Sequence, residues 1–415
     1  MSRDSTTVIQ LPAPLDASVR VATPRANCVS DPPSRPLGPI KLCHFSTVHT
    51  ELKSRTFHRQ CLPLAAAGFG IRYVSPVALE GSWDGIEFIP QPRGKGLFSR
   101  LLALPSLLRG LRAQGADVYH FQDTELLPLA FILKMLDRRR VIYDAYEDFP
   151  SMALSHRRIP RLLRPFAAKM IAAIERLAAH CFDGIITADP FTMRRFAHTG
   201  KSAKLVFHNF PNLEFFPPPD LLGPKPYDLM YRGGLSVRAG TFVLLDALRL
   251  LADQGRRLRL SLIGYFDSPA DKSIFLDRIR VLGLDSQVTI TGRIPHEAMA
   301  QALSGARIGI SPLQDVPKFR LNLPVKVFEY WACGLPVIAS DLPPMRPYFQ
   351  NVRGGLLFPP GDALRLSRAI AWMLDHAADA SEMGRHGRDA IVSRFNNECE
   401  VRRLRDFCQR IAAIP

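Results

Sequence analysis

From Lys41 onward, short apolar runs rich in β-branched and aromatic residues alternate with longer stretches of helical spacing, and the series is run through twice. The first series reads KLCHFS, a segment ending in AAAGFG, IRYVSPV, the 97–114 stretch, VYHF, RVIYDAY, GIITA after an Ala-rich helix, FTMRRFAHTG and KLVFHNF. It stops at FFPPPDLLGPKP (215–226), where Pro217, Pro218 and Pro219 prevent helix or strand growth. The second series starts at DLMYRG and continues through TFVLLDALRLLADQG, LRLSLIG, DKSIFLDRIRVLGL, QVTITG, HEAMAQALSG, RIGISPL, KVFEYWACG and PVIASD. Strands alternating with helices form a parallel sheet covered on both faces. The sequence thus predicts an α/β protein of two Rossmann-like, doubly wound domains facing a cleft, the place where open sheets bind ligands. Expected boundaries are a disordered Pro-rich leader over 1–38, an N-terminal domain over 39–215, a linker over 216–226, a C-terminal domain over 227–395, and a last helix over 396–415 packing back on the N-terminal domain.

Charge narrows the partners without choosing one. The chain of 415 residues has a formal net charge of +16, and residues 1–215 hold 28 Lys+Arg against 18 Asp+Glu, so the first half is the more basic. Such a field suits nucleic acid, an anionic membrane or a phosphorylated small molecule. The seven cysteines form no CxxC pair and read as reduced core residues. No apolar run reaches the ~18 residues of a spanning helix, and the N-terminus lacks a secretory signal, so the expected location is cytoplasmic. GxGxxG, HExxH and GxSxG are absent, which removes the usual dehydrogenase, zinc-protease and hydrolase readings. TGKS at 199–202 lacks the preceding glycine and the following helix of a phosphate loop. RRR at 138–140 stands beside a strand edge with no recognition helix or RNA signature, so nucleic acid is not expected.

Two segments of the second series carry chemistry. YRGGLSVRAG (231–240) follows a strand and opens a helix; Gly233 and Gly234 permit close backbone approach, the helix start suits a diphosphate, and Arg232 and Arg238 offer charge-assisted bonds. An ordinary strand-to-helix turn is the alternative. In NLPVKVFEYWACGLPVIASD (322–341), Pro324 and Gly334 bracket a short helix carrying Lys326 and Glu329 on one face. These are either a surface ion pair or a cation and a carboxylate turned to the cleft, the carboxylate accepting ribose hydroxyls.

With these motifs stand HFSTVHTELKSRTFHRQCLPLAAAGF, DVYHFQDTELLPLAFILK, RVIYDAYEDFP, LIGYFD, TGRIPHE and LPVKVFEYWACGLPVIASDLPPMRPYF. In that order they resemble the family 4 glycosyltransferases, retaining enzymes of the GT-B type, over roughly residues 41–410, and bacterial polysaccharide-assembly members above all. The resemblance implies a nucleotide-sugar donor in the C-terminal domain and a glycan or lipid-linked acceptor on the N-terminal one, with no metal cofactor. It places Glu329 at the second Glu of the paired-glutamate motif, on the donor ribose, with Leu321 where the first Glu usually stands. Arg293 and Ile294 match the position whose backbone meets the nucleobase. Gly234 and Ala239 replace the usual Arg and Lys/Arg of the phosphate loop, so Arg238 and Lys326 are expected to supply the charge. On the acceptor side a usual His is Gln122, able to bond a sugar hydroxyl but not to titrate, and another is Tyr146. His120 remains, although a lone strand His also suits a packed core. Asp123, Glu125, Glu147 and Asp148 are the candidate acceptor carboxylates, the last two also suited to capping a helix.

The expected catalytic set is therefore Glu329, Lys326, His120 and Gln122. Basic amphipathic stretches at 97–114 and 156–177 suggest peripheral attachment to an anionic membrane face, or else ordinary domain helices. A non-catalytic GT-B partner of an active transferase and a nucleotide-sugar epimerase are the alternative functions.

Overall fold

The computed structural model describes residues 40–48, 52, 54–92, 96–155, 159–219, 224–295 and 298–414. The expected leader over 1–38 lies outside them, as does part of the expected linker. The first sheet has eight strands in the order β3-β4-β2-β1-β5-β6-β7-β8. They are β1 (Lys41–Phe45), β2 (Gly70–Ser75), β3 (Gly81–Trp83), β4 (Ile86–Pro90), β5 (Val118–Phe121), β6 (Arg140–Ala145), β7 (Gly184–Thr187) and β8 (Ala203–Val206). The second sheet has six, in the order β11-β10-β9-β12-β13-β14: β9 (Tyr227–Gly234), β10 (Leu260–Tyr265), β11 (Val288–Thr291), β12 (Ala306–Ser311), β13 (Val337–Ser340) and β14 (Gly355–Phe358). All neighbours run parallel except β3 against β4. The chain thus forms the two parallel-sheet α/β domains that the alternation predicts.

Three strands escaped the pattern. β3 and β4 form a hairpin whose turn residues Asp84 and Gly85 both have positive φ, +50° and +75°, the geometry a two-residue turn needs. β14 is a four-residue edge strand beside β13. The 97–114 stretch is two helices, Leu97–Leu102 and Leu104–Gln114, the second burying Leu107 and Leu111. Among the described residues, Cys43, Cys61, Cys181, Cys333 and Cys408 are free thiols.

Each sheet is covered on both faces. Leu42, Ile71, Val118, Ile142 and Ile186 from adjacent strands form one apolar layer, and Cys43, Phe45, Tyr119, Phe121 and Tyr143 the other. The final helix, Asn397–Ala412, contributes Leu404, Phe407, Cys408 and Ile411 to the first of these layers. It starts where the Asn396 side chain accepts from the Cys399 N–H at 2.9 Å, a cap that supplies one of the helix's unpaired amides with a partner. Glu400, on its first turn, accepts from the His208 backbone N–H at 2.8 Å, fastening the helix just past β8.

Candidate active site

Helix Val325–Ala332 follows Pro324 and ends before Gly334, whose φ of +68° closes the last turn. Its orientation is fixed by large side chains. Trp331 is completely buried and donates from Nε1 to the Gly354 carbonyl at 2.9 Å. It fills space that Gly354 and Gly387 leave open: a Cβ on either would stand 2.5 or 2.4 Å from the indole. Phe328 packs between Phe210, Tyr348 and Phe395.

Held this way, the helix presents Lys326 and Glu329 to the C-terminal end of β9. They are not paired with each other on the surface. Glu329 is 1% exposed, with Oε2 3.0 Å from Arg232 Nη1. That oxygen lacks a well-aligned hydrogen-bond donor among the described residues and so retains accepting capacity. Lys326 Nζ donates to the Tyr231 hydroxyl at 3.2 Å and lies 4.2 Å from the centre of its ring. Burial and the nearby Arg232 push the Lys326 ammonium down to about 7, against the opposing pull of Glu329. Gly233 makes this close packing possible: with φ +138°, a Cβ there would stand 3.0 Å from Lys326 Nζ and 3.1 Å from the Tyr231 hydroxyl.

A cavity of about 290 Å³ opens beside this cluster, lined by Tyr231, Gly233, Gly234, Arg238, Tyr265 and Lys326 among others. Arg238 is exposed and turned to Asp267 at 3.2 Å. Arg293, also exposed, places its guanidinium 4.1 Å from the centre of the Tyr265 ring, and Ile294 packs half-buried against the core under helix Val325–Ala332. Of the seven expected donor-side residues, Gly233, Gly234, Arg238 and Lys326 line the cavity, whereas Glu329, Arg293 and Ile294 do not.

The first domain opposes this cluster with a buried polar network centred on Asp144, at the end of β6. Asp144 takes bonds from Arg55 (Nη2 at 2.9 Å and Nε at 3.2 Å), Gln60 Nε2 (2.9 Å) and Gln122 Nε2 (2.9 Å). Burial alone would raise its carboxyl; Arg55, His120 and Gln60 outweigh that and hold it below the usual range. Gln122 is 1% exposed and also accepts from the Thr56 hydroxyl at 2.8 Å. Its amide is therefore engaged inside the protein through its oxygen and one of its two N–H groups. His120 sits beside His44, Nδ1 to Nδ1 3.2 Å, and burial pushes it down to about 4, so it is neutral near pH 7. It fits the packed-core alternative.

Three of the remaining acceptor-side carboxylates, Asp123, Glu125 and Asp148, are also committed. Asp123 accepts from the Ser46 hydroxyl at 2.7 Å and the Thr47 N–H at 3.0 Å. Glu125 forms a fork with Arg100 at 2.6 and 2.8 Å. Tyr146 is half-buried, its phenol pushed up to about 12 by burial, and meets Phe149 edge-on. Asp148 accepts from the Ser151 N–H and hydroxyl and from Arg195 at 3.0 Å, the capping alternative. Glu147, half-buried beside it, is the candidate with no side-chain bond among the described residues.

Both halves match glycosyltransferase families. The profile described as "Glycosyl transferases group 1" matches residues 226–376, and that of the "Glycosyl transferase 4-like domain" matches residues 54–209. The fold is that of the GT-B glycosyltransferases. Sucrose-phosphate synthase from Thermosynechococcus elongatus superposes with a TM-score of 0.68 at 20% identity, covering 91% of this chain and 100% of that one. HepE from Anabaena, solved in complex with UDP, does so at 0.67 and 14%, covering 90% and 100%. Among curated sequences, the amylovoran biosynthesis glycosyltransferase AmsK of Erwinia amylovora is 27% identical over 190 residues, 45% of this chain and 46% of that protein. The D-rhamnosyltransferase WbpZ of Pseudomonas aeruginosa is 25% identical over 290 residues, 66% of this chain and 68% of its own length. The match to the amylovoran enzyme therefore spans less than half of that relative.

Sequence reasoning overlooked Asp144, Arg55 and Tyr231 in this GT-B frame. Asp144 opens the quoted DAYED, yet its residue type gave no sign of a hub. Arg55 had one usable signal, a four-residue spacing to Arg59 around apolar Phe57, which puts two guanidiniums on one face of a helical turn.

Proposed function

We propose that the chain is a retaining glycosyltransferase that moves a sugar from a nucleotide-sugar donor to a glycan or lipid-linked acceptor in cell-surface polysaccharide assembly. The observation that carries this reading is the cluster of Arg232, Glu329, Lys326 and Tyr231 beside the cavity at the end of β9. A carboxylate with a spare oxygen suits the two hydroxyls of a ribose, and the adjacent cations suit the diphosphate. Negative charge grows on the leaving diphosphate as the sugar bond breaks, so cations fixed there favour the transition state over the ground state. In retention without a protein nucleophile, the leaving phosphate oxygen takes the acceptor hydroxyl's proton, so the locked Gln122 and neutral His120 need not titrate. The names of relatives agree: an amylovoran transferase, a D-rhamnosyltransferase and a phosphatidyl-myo-inositol mannosyltransferase, with HepE solved with UDP-glucose.

The acceptor side is read as lying against the inner face of the cytoplasmic membrane. Among the described residues no helix is long and apolar enough to cross a membrane. Helix Arg164–Cys181 buries Ala168, Glu175, Ala178 and Ala179 while its opposite face exposes Phe166 (68%), Met170, Ile174 and Leu177 (68%). Glu175, its one carboxylate, points inward to the Tyr143 hydroxyl at 2.7 Å. Lys169 and Arg176 are exposed beside the apolar stripe, an arrangement suited to anionic lipid.

Incubation with a panel of UDP- and GDP-sugars and lipid-linked acceptors tests the reaction. Glu329→Ala and Lys326→Ala are each expected to lower turnover at least tenfold with folding unchanged; full activity in both would overturn the assignment. The second reading, a non-catalytic partner, is favoured by Gln122, whose amide is spent inside the protein, and by the absence of cations at Gly234 and Ala239. Donor binding without turnover for any acceptor would establish it. Donor consumption without an acceptor would point to the epimerase.

A further inference from the structure

The cavity at the end of β9 has a second wall, opposite Gly233 and Gly234, to which no role has yet been given. Beyond β12 the chain turns back through a short helical turn, Pro317–Arg320, before it enters helix Val325–Ala332. Two residues of this return, Lys318 and Asn322, line the cavity. The segment is held in place from both ends. The Gln314 N–H donates to the Arg238 carbonyl at 3.0 Å, which ties the start of the return to the loop after β9. Arg320 donates from Nη2 to Asp315 at 2.7 Å, closing the turn on itself. The Asn322 N–H donates to the Lys318 carbonyl at 3.0 Å, so the two cavity residues stand one helical turn apart.

The charges around the cavity do not cancel. Asp267, the carboxylate among the residues that line it, is taken by Arg238 at 3.2 Å. Lys326 and Lys318 also line it, and neither forms an ion pair among the described residues. They sit on different elements, Lys326 against Tyr231 and Gly233, Lys318 on the returning turn. One diphosphate at the Gly233 end accounts for Lys326 and leaves Lys318 without a counter-charge. A neutral sugar does not supply one: its hydroxyls need acceptors as well as donors, and an ammonium only donates. The Asn322 amide in the same wall adds two further N–H groups. A wall rich in donors, with its carboxylate already engaged, suits a group that only accepts. We infer that the donor sugar carries a carboxylate, as a hexuronate does, and that Lys318 and Asn322 bind it while Lys326 faces the diphosphate. The inference rests on the donor reading above and adds the class of the sugar. Because Lys318 is exposed, water screens the pair, and the preference it confers is modest, on the order of tenfold.

Calorimetric titration of the full chain with matched pairs tests this: UDP-glucuronate against UDP-glucose, UDP-galacturonate against UDP-galactose, and GDP-mannuronate against GDP-mannose, with UDP and GDP as references. In at least one pair the wild type is expected to bind the uronate roughly tenfold more tightly than its neutral parent. Lys318→Met should abolish that preference and leave the affinities for the neutral sugar nucleotide and the free diphosphate unchanged. Lys318→Arg, which keeps the charge, should retain it. Thermal melting checks the fold of both variants. A wild type that binds nucleotide sugars without preferring a uronate in any pair overturns the inference, as does a preference that survives Lys318→Met. An equal loss in Lys318→Met for uronate, neutral sugar and free diphosphate overturns it as well, placing Lys318 on the phosphates. A wild type that binds no nucleotide at all sinks the donor reading itself, and the sugar's class with it.

Discussion

Lys326 shares its surroundings with a tyrosine ring and an arginine, and its ammonium titrates at about 7. Near neutral pH the ligand-free chain therefore holds a mixture of charged and neutral lysine. An incoming diphosphate favours the charged form, so binding draws in a proton wherever the free amine is neutral, that is, above pH 7. At pH 8 uptake of roughly one proton is expected from calorimetry in buffers of different ionisation heat, with affinity falling as pH rises and both effects lost in Lys326→Met. The ligand-free fold has the matching dependence. The unfolded chain binds this proton more tightly, so the lysine's contribution to stability grows as pH rises from about 7 toward the ordinary lysine range. The sequence made Lys326 and Glu329 legible as neighbours on one helix face. It could not show that each faces a different partner on β9, because spacing along a helix says nothing of the strand opposite. The same limit applies to Gln122: a glutamine at a strand end reads as available, and only the folded chain brings Thr56 and Asp144 to its two ends.

At the scale of elements, β7 and the helix Asn397–Ala412 show how closely the layers fit. A Cβ on Gly184 would stand 2.5 Å from Ile411 Cδ1 and 2.8 Å from Phe407 Cζ. Gly184→Ala is expected to cost about 1–3 kcal/mol by overpacking, and Phe407→Ala about 3–5 kcal/mol by leaving a cavity. Urea unfolding measures both, and unchanged midpoints would place the helix elsewhere in solution. The long apolar strands were readable because burial on both faces leaves a continuous apolar run. The hairpin of β3 and β4 was not, since all three residues of β3 are exposed and it pairs only at the sheet edge; its Asp84-Gly85 turn was the overlooked cue. Helix Leu104–Gln114 and helix Arg164–Cys181 have similar basic amphipathic sequences, yet one turns leucines inward while the other shows a bulky apolar stripe to solvent. Composition cannot tell these apart, because the stripe becomes visible only once a second face is buried.

For the whole molecule, the formal charge of +16 and the exposed stripe act together. Burying a bulky apolar side chain contributes about 1.5–3 kcal/mol, so replacing two of them should matter more than removing one charge. Phe166→Ser with Leu177→Ser is expected to reduce co-sedimentation with vesicles containing anionic lipid at least tenfold, leaving donor binding unchanged. Equal sedimentation of variant and wild type would remove the membrane reading.

One contact made where the chain returns to its first domain bears on how the cleft works. The Asn397 N–H donates to the Pro211 carbonyl at 2.8 Å, so the outgoing and returning segments cross between domains side by side, tied to each other. Like two leaves hung on adjacent pins, the domains are joined along one line. Any rotation of one domain against the other would turn on these few residues at the pivot.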